Sequence, residues 1–173
     1  MMNEILKSIS FEGEQWKQTL RRNKIVPGYL ISNFGRVFSL KTNKLLKIQN
    51  NVHKERGNAS TVTLSIPSDW SEDYQYANNS IMCQVHQLVA DAFIPIDENP
   101  PDKLSDSWNE IITEEMVGQK RIPESWKQWV KETVIIDHVN NNPFDNRYEN
   151  LNYTTCRGNN THYKKKQNEK NYT

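Results

Sequence analysis

The sequence predicts an α+β fold. A small N-terminal antiparallel β module leads into an amphipathic helix, a helical insertion and a C-terminal strand–loop–strand–helix unit. Three observations predict it. Short β-prone runs separated by turn residues fill positions 25–66. Apolar residues at helical spacing occupy 84–93. An apolar run ending in Asp137-His138 precedes an Asn-rich loop and a second β-prone run.

The elements follow in chain order. Pro27-Gly28 is a turn signal, Tyr29-Leu30-Ile31 a short strand, and Asn33-Phe34-Gly35 a second turn. Arg36–Leu40 and Lys44–Ile48 flank Thr42-Asn43 as the arms of a hairpin. Residues 60–66 alternate polar and apolar, which suits a half-buried strand, and Ile81-Met82-Cys83 form a further β-prone run. Val85, Leu88, Val89, Ala92 and Phe93 then form one apolar helical stripe, which Pro95 ends. A long insertion, 96–133, comes next. Ser105 can cap a helix with Trp108, Ile111, Ile112 and Met116 on one side, stopping at Gly118. Pro123 can open a second helix carrying Trp126, Trp129 and Val130, and the three tryptophans, Trp108, Trp126 and Trp129, are expected to anchor this hairpin on the core. Residues 134–138 form a strand, 150–154 a returning strand, and Thr155 is a suitable N-cap for a last helix through Asn159 and His162.

A chain of 173 residues can bury a real core. It has no apolar run long enough to cross a bilayer and no signal-peptide layout at its start, so an intracellular setting without membrane contact is expected. Cys83 and Cys156 fit no CxxC spacing, which argues against structural zinc and a disulfide framework. The net charge of +1 hides a segregation. Residues 1–60 carry 11 Lys/Arg against 4 Asp/Glu, residues 67–117 carry 1 against 11, and the tail 151–173 carries 5 against 1. Two basic ends suit a polyanionic partner, while the acidic middle faces elsewhere and offers a surface for a protein partner.

The chemistry concentrates at 137–162. Phosphodiester hydrolysis needs an activated water and a cation to neutralise charge as the bond breaks. Asp137 can hold a hard cation, and His138 can take a proton. Adjacent residues on a regular strand point to opposite faces, so the pair must sit where the ladder stops. Asn159 on the following helix can supply a second oxygen, and His162 shares its face.

Residues 137–162, DHVNNNPFDNRYENLNYTTCRGNNTH, resemble the motif of the HNH, or ββα-metal, endonucleases of phages and mobile introns. The family's order is Asp-His, an Asn-rich loop, Asn-Leu, an aromatic, a Thr, then Asn with a His three later. Here these are Asp137-His138, Asn140–Asn146, Asn150-Leu151, Tyr153, Thr155, Asn159 and His162. VHQLVADAFIP (85–95), with His86, resembles the segment that commonly precedes the motif. Trp16-Lys17 and PGYLISNFGRVFS resemble the small DNA-contacting (NUMOD4-like) β module that starts many intron-type members. The resemblance implies a module over 1–66 and a nuclease domain over 81–173.

It further implies His138 as general base, Asp137 and Asn159 as ligands of one divalent cation (Mg²⁺, with Mn²⁺ as a substitute), and Asn150 as a brace for the loop behind His138. His162 would touch phosphate or support the metal shell. His86 is left open between a site role and buttressing the core, and His53 receives no role. Double-stranded DNA is the implied partner. Arg21, Arg22, Lys24, Arg36, Lys41, Lys44, Lys47, Arg157, Lys164, Lys165 and Lys166 are the basic residues placed to meet it. With one motif per chain, a monomer is expected to nick and a homodimer to cut both strands, leaving 5′-phosphate and 3′-hydroxyl ends. The alternative is a regulatory or packaging protein that binds DNA on the same scaffold without cutting it. The acidic insertion departs from the family pattern.

Overall fold

The computed structural model of the chain describes residues 4–21, 24–52, 57–67, 70, 79–96, 98–101, 104, 124–156 and 158–159. Their fold is α+β with antiparallel sheets. The chain forms two compact units, Met1–Phe93 with Pro143–Tyr148, and Ile94–Asn142 with Glu149–Thr173.

The first unit begins with the short helix α1 (Glu4–Ile9), which buries Leu6. A four-stranded antiparallel meander follows: β1 (Trp16–Arg21), β2 (Lys24–Ser32), β3 (Val37–Ser39) and β4 (Lys44–Leu45). A second sheet holds β5 (Gln49–Asn51), β6 (Ala59–Ser65) and β7 (Ser80–Gln84), and β7 runs directly into α2 (Val85–Phe93). This helix packs on β1, β2, β6 and β7. Val85, Leu88, Val89 and Ala90 are buried, as are Val26, Ile31, Val37 and Phe38 of one sheet and Val62, Leu64, Ile81 and Cys83 of the other. Burial also pushes the Cys83 thiol pKa up, despite the opposing charge of Arg21, so this cysteine behaves as a core residue. Helix α2 has no basic residue in its last turn. Lys17 supplies that charge from β1, donating to Ala92 O at 3.1 Å with its ammonium 4.6 Å from the Phe93 ring centre.

Two expectations change here. Pro27-Gly28 makes no turn and lies within β2. Leu20 pairs with Ile25 and Gln18 with Leu30, so β2 carries the surplus residues as a bulge. Gly28, at φ +84°, takes the left-handed backbone there, and a bulge tolerates a proline that has no N–H to donate. Strand β1 lies in the segment likened to a β module, but its own residues predict no strand. Its fully buried residue is Thr19, so it lacks the apolar alternation that marks a strand, and its pairing comes from β2.

The second unit contains α3 (Glu124–Thr133) and the hairpin β8 (Ile135–His138) and β9 (Leu151–Thr154). Ile94, Ile96, Val130, Leu151 and Tyr153 are buried, and the Tyr153 hydroxyl donates to Ile94 O at 3.2 Å. Trp126 and Trp129 do not serve as core anchors. They are 48% and 57% exposed and meet edge to face with centroids 6.0 Å apart, while Val130 of the same helix is buried. The expected helix from Ser105 to Gly118, with Trp108, lies outside the described residues. Among the described residues no helix is long and apolar enough to cross a membrane.

Candidate active site

Strand β8 ends at the residue the chemistry asks for. Its ladder with β9 pairs Ile135 with Thr154, Ile136 with Tyr153, Asp137 with Asn152 and His138 with Leu151. Residues opposite each other share a face, so Asp137 lies with Asn152 and His138 with Leu151. His138 is the last paired residue, and a turn begins at Val139. Both Asp137 and His138 are half-buried, so the hairpin's end holds an imidazole and a carboxylate that solvent still reaches.

The loop behind His138 is closed by Asn150. This residue is buried and ends a 3-10 turn, Tyr148–Asn150. Its Oδ1 accepts from the Asn140 N–H at 3.0 Å, and its Nδ2 donates to Asn140 Oδ1 at 3.0 Å. Its carbonyl accepts from the Val139 N–H at 2.9 Å. The Asn141 N–H donates back to His138 O at 2.7 Å, and Asn142 N–H to Asn140 Oδ1 at 2.8 Å. Asn141 adopts φ +59°, the left-handed backbone that asparagine enters more readily than most residues other than glycine. These bonds fix the backbone on the far side of His138. Asn140, the reciprocal partner, was not singled out from the sequence. In a loop with several asparagines nothing local distinguishes the one that pairs.

Thr155 caps the segment that follows β9. Its Oγ1 accepts from the Gly158 N–H at 3.1 Å, and its carbonyl accepts from the Asn159 N–H at 2.9 Å. Gly158 rests on Thr154, where a Cβ would lie 2.4 Å from Oγ1. Thr154 shares the Asn152 and Asp137 face of the hairpin, so the start of this helix lies on the side that carries Asp137. Asn159 follows immediately and is half-buried. His162, Arg22, His53, Arg157, Lys164, Lys165 and Lys166 lie outside the described residues.

The residues present suit a hard cation. Asp137 offers a carboxylate and Asn159 an amide oxygen, the donor types that Mg²⁺ accepts while it keeps several waters. Among the described residues no group of three His, Cys, Asp or Glu is placed to hold a metal.

The basic residues of the first unit divide sharply. Lys41, Lys44 and Lys47 are exposed on and beside the β3–β4 hairpin. Lys24 is exposed with its ammonium 5.8 Å from the Trp70 ring centre. Arg21 is half-buried and donates to Gln87 Oε1 at 2.8 Å. Arg36, by contrast, is engaged by groups of its own unit. Nε donates to Glu14 Oε1 at 2.8 Å, Nη2 donates to Glu14 Oε2 and, at 2.8 Å, to Ile9 O, and the Phe11 ring centre lies 4.1 Å from its Cζ. Burial alone would raise the Glu14 pKa. The hydrogen bonds from Arg36, Phe11 and Ser32, with the Arg36 charge, outweigh it and hold the carboxyl below its ordinary value.

No protein-family model matches the chain, and no curated protein matches it. Among solved structures it is similar to one described as "DNA binding and cleavage by the HNH homing endonuclease I-HmuI". The two share 20% identity with a TM-score of 0.49, over 88% of this chain and 59% of that one. This chain therefore spans less than two thirds of that structure's length.

Proposed function

We propose that the chain is a metal-dependent DNA endonuclease of the HNH type, related to the homing enzymes of phages and introns. The observation that carries this reading is the hairpin end itself. Asp137 and His138 stand where the β8–β9 ladder stops, and Asn150 locks the loop behind them. His138 acts as general base: an imidazole nitrogen takes a proton from a water lined up with the scissile phosphorus. The water oxygen bonds to phosphorus, and the bond to the 3′ oxygen breaks with its electron pair. The products are a 5′-phosphate and, after protonation by solvent, a 3′-hydroxyl. Asp137 and Asn159 would hold a divalent cation, Mg²⁺ first, which supplies charge neutralisation at the phosphoryl oxygens when bound. Exposed Lys41, Lys44 and Lys47 offer phosphate contacts that would hold a duplex.

One motif per chain makes a monomer a nicking enzyme. The test is a supercoiled plasmid incubated with Mg²⁺ or with EDTA. Wild type should relax the plasmid only with the metal, and His138→Ala should slow nicking by about 10²–10⁴-fold while its circular dichroism stays unchanged. Equal nicking by His138→Ala would sink the assignment. Retained DNA binding with no metal-dependent nicking would mark instead a DNA-binding protein on the same scaffold.

A further inference from the structure

We infer that Gly35 is a positioning residue for the His138 loop: its missing side chain lets residues 143–148 seat on the β2–β3 turn, and that seat holds the loop in register. The inference rests on the nuclease reading for the role of His138. It goes beyond it in assigning part of the geometry to a residue about a hundred positions away.

Gly35 adopts φ +79°, and a Cβ there would lie 2.9 Å from Asn146 Cβ, 3.2 Å from Asn146 O and 3.4 Å from Val85 Cγ1. Asn146 is buried, so it has no open direction in which to yield. Beside it the Tyr148 N–H donates to Asn33 O at 2.9 Å. Asn33 is itself immobilised: its Oδ1 accepts from Gln15 N–H at 2.8 Å, its Nδ2 donates to Gly13 O at 3.2 Å, and its N–H donates to Gln15 O at 3.0 Å. The seated segment is stiff in its own right. Arg147 grips Asp145 through two bonds of 2.9 and 2.8 Å, and Asn146 Nδ2 donates to Phe144 O at 3.1 Å. The Tyr148 and Phe93 rings lie 6.3 Å apart.

The seat matters to His138 because the intervening chain is short and already constrained. Four residues separate His138 from Pro143. Pro143 has its φ locked, and the residue before a proline is restricted too, so rotation there absorbs little. Asn141 is held at a left-handed φ, and Asn140 to Asn142 are tied to Asn150, to His138 O and to each other. On the other side Asn150 follows Tyr148 by two residues. A displacement of 143–148 therefore pulls on both ends of the Asn140–Asn150 lock.

Gly35→Ala is compared with Gly13→Ala, whose φ is +74° and whose added Cβ meets nothing within 4 Å. Both variants carry the left-handed backbone cost, and only one crowds Asn146. Gly35→Ala should lower kcat for plasmid nicking by about tenfold to a hundredfold, with KM for DNA unchanged. It should also speed amide exchange at Val139, Asn140 and Asn141 well beyond Gly13→Ala. Asn146→Gly removes the Cβ that clashes, so Gly35→Ala with Asn146→Gly should nick about as fast as Asn146→Gly alone. If Gly35→Ala fails to fold, Asn146→Gly by itself still loosens the seat and should raise exchange at the same three amides. Gly35→Ala matching Gly13→Ala in kcat and exchange would overturn the inference, as would strictly additive effects of the pair. The exchange arm needs no activity. A wild type that never nicks defeats the nuclease reading, while faster exchange at 139–141 would still establish the seat.

Discussion

The β2–β3 turn and the β8–β9 loop are each held by a buried asparagine, and the two locks are built differently. In the turn, Asn33 reaches back to Gly13 and Gln15, and beside it the Arg36–Glu14 pair is enclosed by Phe11 and Trp16. In the loop, Asn150 closes on Asn140 and Val139, at most eleven residues away, with no charge involved. A buried charge left without its partner is far more costly than a broken amide pair. The turn's lock therefore holds up the module, whereas the loop's lock sets the geometry of a few residues around His138.

Breaking the charged lock should have the largest effect on stability. Arg36→Ala leaves the Glu14 carboxylate enclosed, and we expect a loss of about 2–4 kcal/mol, discounted from a fully buried pair because Arg36 is 21% exposed. Urea unfolding measures it. Arg36→Lys should recover little, since an ammonium cannot reproduce the two-pronged bond. Asn150→Ala should cost less, about 1–3 kcal/mol, because the Asn140 N–H loses its acceptor. Its mark should be disproportionate loss of nicking in molecules that remain folded. A variant that unfolds readily yet nicks normally would reverse the assignment of the two locks.

Acid titration separates the locks further. The Glu14 pKa is lower in the folded chain than its ordinary value, so its contribution is complete above the ordinary carboxylate range and is lost as pH falls through the depressed value. The stability gap between wild type and Glu14→Gln should accordingly narrow as the solution is acidified. The Asn140–Asn150 lock has no such titration, so the Asn150→Ala gap should stay flat over the same range. The smallest change in stability is expected for Lys44→Ala, within about 0.5 kcal/mol, because this side chain is exposed. DNA binding should nonetheless weaken, with the salt slope falling by about one. Arg36 and Lys44 would then share a charge and divide its uses.

Much of the fold was legible in local pattern. Strands around 29–31, 60–66, 81–83 and 135–138 and the helix over 85–93 lie where period-two and helical spacing put them, since periodicity is a property of neighbouring residues. Strand β1 was not legible, because a run of Trp, Lys, Gln, Thr, Leu and Arg declares itself only when β2 pairs with it. The Pro27-Gly28 signal was real but ambiguous: the same φ serves a turn or a bulge, and the register of the neighbouring strand chooses. Trp126 and Trp129 follow the same logic, since helical spacing shows that they share a side without showing what covers it.

At the candidate active site, the sequence by itself determined that Asp137 and His138 end an apolar strand and that an Asn-rich loop returns through Asn150 to a second strand. The alternation along those strands leaves one register that keeps Leu151 and Tyr153 buried. Only the tertiary structure decided which asparagine closes the loop, that Arg36 is enclosed while Lys44 is exposed, and that residues 143–148 seat against Gly35. Each of these depends on groups brought together from distant parts of the chain or from within a run of identical side chains. Local sequence carries periodicity and capping, whereas pairing and burial are settled by whatever folds up alongside.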